Sequence, residues 1–158
     1  MKIFVGSDHA GFGLKEKLVP FLKDLGYEVF DQGPSEYNEE DDYPDFIIPV
    51  AREVSRHPNE VKGIVLGASG QGEAMTANKF SSVRAAVYYG KGQTVVEEDG
   101  LSVIRLSRAH NDSNILSIGA RFVTEEDMKE AVKEWLGTSF SEEERHKRRV
   151  VKMDHIHE

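Results

Sequence analysis

Short apolar runs alternate along this chain with longer segments whose apolar positions recur at helical spacing, and that alternation lays out the elements. Residues 2–6 (KIFVG) read as a buried strand. Leu14, Leu18, Phe21, Leu22 and Leu25 then follow at helical spacing up to Gly26, a natural stop. Residues 28–31 form a second short strand. The connection over 32–45 (QGPSEYNEEDDYPD) is polar and turn-rich, carries six acids and reads as a solvated loop. A helix follows Tyr43-Pro44-Asp45, and Pro49 removes a donor just inside it, which predicts a late start or a kink. Residues 63–67 (GIVLG) give the clearest strand, three β-favouring residues between glycines. A tight loop, Ala68-Ser69-Gly70-Gln71-Gly72, and a helical stretch over 73–79 come next. A strand over 84–87, an aperiodic loop over 89–100, a helix over 101–109 and a last strand over 115–119 (ILSIG) complete the pattern.

Two further helix starts are marked by a hydroxyl three residues before an acid, at Thr124-Glu125-Glu126-Asp127 and Ser141-Glu142-Glu143-Glu144. The second predicts a C-terminal helix over about 141–154, followed by a flexible tail at 155–158. The strands are too continuously apolar for a sheet wet on one side. Alternating with helices, they imply an α/β fold, Rossmann-like, with three α/β/α layers and a parallel sheet of about five strands. At 158 residues the chain is expected to be one domain.

Composition narrows the functions. Twenty basic and 28 acidic residues give a formal charge of −8, the wrong sign for general affinity toward nucleic acid or an anionic membrane. A small anion, which needs only a few placed cations, remains compatible. Cysteine is absent, so disulfides, thiolate metal sites and cysteine nucleophiles are excluded. The apolar run at the N-terminus is too short for a signal peptide and nothing reaches the length of a membrane span, so the expected compartment is the cytoplasm.

In an open parallel sheet, ligands bind beyond the carboxyl ends of the strands. After the first strand stand Asp8 and His9; either could face a crevice, or Asp8 or Ser7 could simply cap the next helix. After the third strand, glycines let successive N–H groups converge, and Glu73 stands at the lip of that loop. A carboxylate beside such donors suits proton abstraction next to a carbonyl; as an alternative, Glu73 is an ordinary acid in a first helical turn. Gly67-Ala68-Ser69-Gly70-Gln71 is no nucleophile elbow, because its fifth position is Gln71, and neither phosphate-binding glycine fingerprint fits. His110, in a turn-forming neighbourhood, is a candidate acid/base or a plain surface histidine. Arg121 follows the last strand. Arg145, Arg149 and Lys152 share a helical face suited to phosphate, unless Glu142, Glu143 and Glu144 neutralise it. His155-x-His157 is too slight for a metal site.

Taken together, these residues resemble the ribose-5-phosphate isomerase type B family, which also contains galactose- and allose-6-phosphate isomerases. The likeness runs through Gly6-Ser7-Asp8-His9-Ala10-Gly11, Asp42-Tyr43-Pro44-Asp45 and Gly70-x-Gly72 with Ala77-Asn78-Lys79. It continues through Ser107-Arg108-Ala109-His110-Asn111-Asp112, Gly119-Ala120-Arg121 and Arg145-His146-x-Arg148-Arg149. It implies an aldose–ketose isomerase without metal or cofactor, working through a cis-enediol(ate). Its substrate would be ribose 5-phosphate, or alternatively a hexose 6-phosphate; a non-catalytic sugar-phosphate-binding homologue is the other alternative. The resemblance also implies a homodimer, or a tetramer, with sites shared between subunits.

One branch of the family uses a cysteine base where this chain has Gly67; another uses a glutamate, and Glu73 falls on that position. The resemblance thereby gives Glu73 the proton transfer between C1 and C2. Ser69 and the amides of Ala68, Gly70, Gln71 and Gly72 would hold the enediolate oxygen. Asp8 and His110 would open the furanose ring, Tyr43 would line the site, and Asn111 would meet sugar hydroxyls. His9, Arg121, Arg145 and Arg149 would bind phosphate. The stretch between Val87 and Leu106 is about ten residues longer than the family pattern, an irregular glycine-bearing segment that could reshape the sugar pocket.

Overall fold

Five parallel strands and six helices are formed among the described residues. A computed structural model describes residues 1–91 and 102–156. The elements are β1 (Lys2–Ser7), α1 (His9–Asp24), β2 (Glu28–Asp31), α2 (Tyr43–Arg56), β3 (Val61–Gly67) and α3 (Gln71–Ala77). After them come β4 (Ala85–Tyr88), α4 (Ser102–Ala109), β5 (Ile115–Gly119), α5 (Glu125–Gly137) and α6 (Glu144–Asp154). The strand order is β2-β1-β3-β5-β4. Most of the loop expected over 89–100, and His157 with the end of the tail, lie outside the described residues.

Period-two alternation decides the layers. Ile3, Val5, Ile64, Leu66, Leu116 and Ile118 face one side of the sheet, against Leu18 and Leu22 of α1, Ile104 of α4 and Met128, Val132 and Trp135 of α5. Phe4, Val65 and Ile115 face the other, against Ile47, Val50, Ala51 and Val54 of α2 and Ala77 of α3. Both faces are covered, as strands this apolar require, so the three-layer α/β/α arrangement holds. From β1 the chain adds β2 on one side and then returns to place β3 on the other. The crevice between the carboxyl ends of β1 and β3 is therefore the topological switch point, where such sheets bind ligands.

Two boundaries differ from the expectation. α2 begins at Tyr43 without delay and runs through Pro49. Pro44 sits in the first turn, where its missing N–H has no intrahelical partner to lose, so it starts the helix. α6 begins at Glu144, and Ser141 is not its cap. Glu142 takes a positive φ of 60°, which breaks the helical path, and Ser141 Oγ instead lies 2.6 Å from His146 Nδ1. Thr124 behaves as expected: its hydroxyl accepts from Asp127 N–H while the Asp127 carboxylate accepts from Thr124 N–H. Among the described residues no helix is long and apolar enough to cross a membrane.

That capping box makes a direct stability prediction. Thr124→Ala should lower unfolding stability by about 1 kcal/mol, read as a lower urea midpoint at unchanged slope.

Candidate active site

Glu73 is the pivot of the switch-point crevice. It lies in the first turn of α3 and is only 4% exposed. Its carboxylate occupies the volume directly over Gly67, where any β-carbon would overlap it. Gly67 ends β3, and the chain then turns through Ala68, Ser69 and Gly70 into α3; Gly70, at φ +74°, adopts the left-handed geometry that glycine permits. The N–H groups of Ser69 and Gly70 donate to no other group among the described residues, while Ser69 Oγ accepts from Gln71 N–H at 3.3 Å. Burial pushes the Glu73 pKa above the ordinary carboxylate value. Its own amide, which hydrogen-bonds to it, opposes that rise, and the nearby Asp8 charge adds to it.

Neighbouring elements hold this loop in place. Ser117 Oγ donates to Gly70 O at 2.6 Å, and the Ala120 and Arg121 amides donate to Gly67 O and Ala68 O at 2.8 and 3.1 Å. The turn after β5 is thus fastened to the turn after β3, and Gly119 admits the close approach of Ser69 O. From the opposite face, the Tyr43 ring at the start of α2 closes on Gly72.

Across the crevice, Asp8 caps α1, its Oδ1 accepting from Gly11 N–H at 3.0 Å. The capping alternative is therefore realised, and the same side chain still lies close enough to influence both Glu73 and His9. His9 donates its backbone N–H and presents Nδ1 to one oxygen of Asp41, at 3.0 and 2.7 Å. Its pKa is raised, first by that hydrogen bond; burial opposes the rise, the Asp8 and Asp41 charges add to it and the Arg121 charge opposes it.

Asp41 belongs to the segment expected to be only a solvated loop, and here that expectation is corrected. Asn38 builds a turn, accepting from Glu40 N–H on its side chain and from Asp41 N–H on its carbonyl, and this delivers Asp41 inward. In sequence Asp41 is one acid among six; its place two residues before Tyr43 was the available signal. Ligand atoms of Asp8, His9 and Asp41 lie within 4.8 Å of one another. Oxygens on both acids and the His9 Nδ1 are already engaged, which fits an ion pair better than a metal centre.

The remaining expected residues form a second group. His110, just past the end of α4, lies against His146 with ring centroids 4.3 Å apart and the rings tilted by 32°. His146 is 2% exposed, and burial, reinforced by the adjacent His110, lowers its pKa. Arg145 and Arg149 are exposed on the same α6 and act electrostatically on His146. Arg145 Nε pairs with Glu143 at 2.8 Å, whereas Glu142 pairs with Lys147; Arg149 has no carboxylate partner among the described residues. The acids thus neutralise only part of the face. Asn111 joins neither group: it is exposed and lines a cavity of about 400 Å³ with Asn78, Arg84 and Asp154. Among the described residues no hydrogen bond or ion pair links the Glu73 group to the His110 group.

Because the folded chain holds the Glu73 proton more tightly than the unfolded one, the ionised carboxylate weakens the fold as pH rises above the ordinary value of 4.5. Glu73→Gln should therefore melt higher than the unsubstituted chain at neutral pH, and the gap should close as pH falls below that value in a series of thermal melts.

The family model described as Ribose/Galactose Isomerase matches residues 3–153. Ribose-5-phosphate isomerase B of Mycobacterium tuberculosis (strain H37Rv) is 35% identical over 150 residues, covering 95% of this chain and 86% of that protein. The enzyme of the same name from Escherichia coli (strain K12) is 40% identical over 150 residues, covering 94% and 91%. The crystal structure of ribose-5-phosphate isomerase B from Mycoplasma genitalium with bound ribulose-5-phosphate superposes with a TM-score of 0.89 at 33% identity, covering 98% of this chain and 95% of that one. With fold, sequence and motif order in agreement over nearly its whole length, the chain belongs to the ribose/galactose isomerase family.

Proposed function

We propose that this chain interconverts ribose 5-phosphate and ribulose 5-phosphate through a cis-enediol(ate), with Glu73 as the base. The observation that carries the reading is the buried Glu73 carboxylate, made more basic by desolvation and set beside the unengaged amides of Ser69 and Gly70. Such a pairing is what abstraction of a proton next to a carbonyl requires. Glu73 takes the proton from C2 of the open-chain aldose, and the electron pair passes through the new C1–C2 double bond onto O1. The Ser69 and Gly70 N–H groups, with Ser69 Oγ, hold that oxygen. A proton then moves from O2 to O1, and Glu73 returns its own to C1. The relatives' names and the ribulose-5-phosphate of the Mycoplasma structure support the pentose.

Asp8 and His110 open the ring, Tyr43 walls the site, and His9, Arg121, Arg145 and Arg149 bind the phosphate. The division of these residues into two unlinked groups supports a homodimer in which each site takes His110, Arg145 and Arg149 from the neighbouring subunit, while Asn111, the residue after His110, contacts sugar hydroxyls. The reaction needs no metal or cofactor, so turnover should survive exhaustive chelation.

Glu73→Gln tests the base. Turnover should fall about 10²–10⁴-fold with sugar-phosphate binding retained, and exchange of the C2 proton in heavy water, followed by NMR, should fall with it. Near-normal exchange would overturn the assignment. Rates on galactose and allose 6-phosphates, measured alongside, would reveal a hexose enzyme.

Shared sites predict complementation. Glu73→Gln chains and Arg145→Ala/Arg149→Ala chains, each inactive alone, should recover about a quarter of full activity after mixing and subunit exchange, since half the dimers then carry one intact site of two.

A further inference from the structure

His9 is held by a carboxylate that the phosphate-binding reading does not account for. Asp41 Oδ1 accepts from both the backbone N–H and Nδ1 of His9, so the main chain and ring are gripped by one atom. The Asp41 side chain is 7% exposed, and its second oxygen, Oδ2, is buried with no partner. A buried carboxylate oxygen left without a partner is costly and calls for an explanation. The His9 side chain, 28% exposed, keeps a face open to solvent, and Nε2 makes no hydrogen bond among the described residues. The Tyr37 ring stands edge-on to it at 6.3 Å, limiting how the imidazole can turn.

We propose that Asp41 is the positioning residue for His9: it fixes the ring orientation and the cationic state in which the imidazole presents Nε2–H to the substrate's phosphate. The inference rests on the reading of His9 as a phosphate ligand. A ring whose Nδ1–H is committed to a carboxylate must offer its other nitrogen outward, and that nitrogen is a donor only while it is protonated. The surrounding charges are divided. Asp8 and Asp41 favour the imidazolium, whereas Arg121 and burial oppose it; Tyr37 contributes its ring edge-on. Arg121 is also expected to bind the phosphate, so a second cation beside it would be disfavoured without a local anion. Asp41 supplies that anion from behind the ring, away from the face left to the ligand. The loop that carries it also delivers Tyr43 onto the glycine turn, so one segment aligns both walls of the crevice.

Asp41→Asn separates charge from shape, because the amide oxygen can still accept from both His9 groups. The His9 imidazole would be titrated by NMR in both proteins, its signal assigned by its loss in His9→Asn. Its midpoint should fall by about one pH unit in Asp41→Asn. Inhibition by inorganic phosphate should match the unsubstituted protein at pH 5.5 and weaken about fivefold relative to it at pH 7.5. An unchanged His9 midpoint, or an equal loss of phosphate affinity at both pH values, would overturn the proposal. If His9→Asn binds phosphate undiminished, the phosphate role of His9 fails instead, while the imidazole titration still judges Asp41 on its own.

Discussion

A carboxylate lodged where a side chain at the end of β3 would otherwise stand is the constraint from which the rest of the site follows. Glu73 can be withdrawn from water only because Gly67 leaves that volume empty. Withdrawal makes the group a stronger base than an exposed glutamate, and it also means that ionising the group costs the folded state stability. The surrounding sheet must therefore be stable without it. Continuous apolar strands covered on both faces meet that demand, and the tie between the turns after β3 and β5 fixes the loop that leads into α3.

Charge is arranged locally against the sign of the whole molecule. With a net charge of −8, long-range attraction for a phosphorylated sugar is unfavourable, so capture depends on cations placed within contact range. Each of the two groups of cations is tempered by its neighbours. Around His9 the balance favours the proton, through Asp41 and Asp8; around His146 it disfavours one, through burial and the ring of His110. The lowered pKa of His146, whose ring lies against His110, disfavours one more positive charge beside Arg145 and Arg149.

Much of this was legible in the chain. Strand and helix alternation predicted the fold class and its covered sheet, because continuous apolar runs between glycines and a helical period between caps admit few other arrangements. Thr124 announced its helix through a purely local exchange of hydrogen bonds. Ser141 carried the same signal and misled, since the backbone at Glu142 and the side chain of His146 competed for it. Pro49 is an obstacle by local rules, yet α2 runs through it, anchored by the apolar face that Ile47, Val50, Ala51 and Val54 bury.

What the sequence determined by itself was a class of structure, a missing thiol, and a small set of residues able to move a proton or grip an anion. Those properties depend on residue type and short-range spacing, which a linear reading captures. Only the tertiary structure decided that Glu73 is buried over Gly67, that Asp41 rather than any other acid of its loop reaches His9, and that His110 and the α6 arginines gather apart from them. Each of those outcomes depends on contacts between segments distant in sequence, where the packing of a β-carbon or the direction of one carboxylate selects among residues that look alike along the chain.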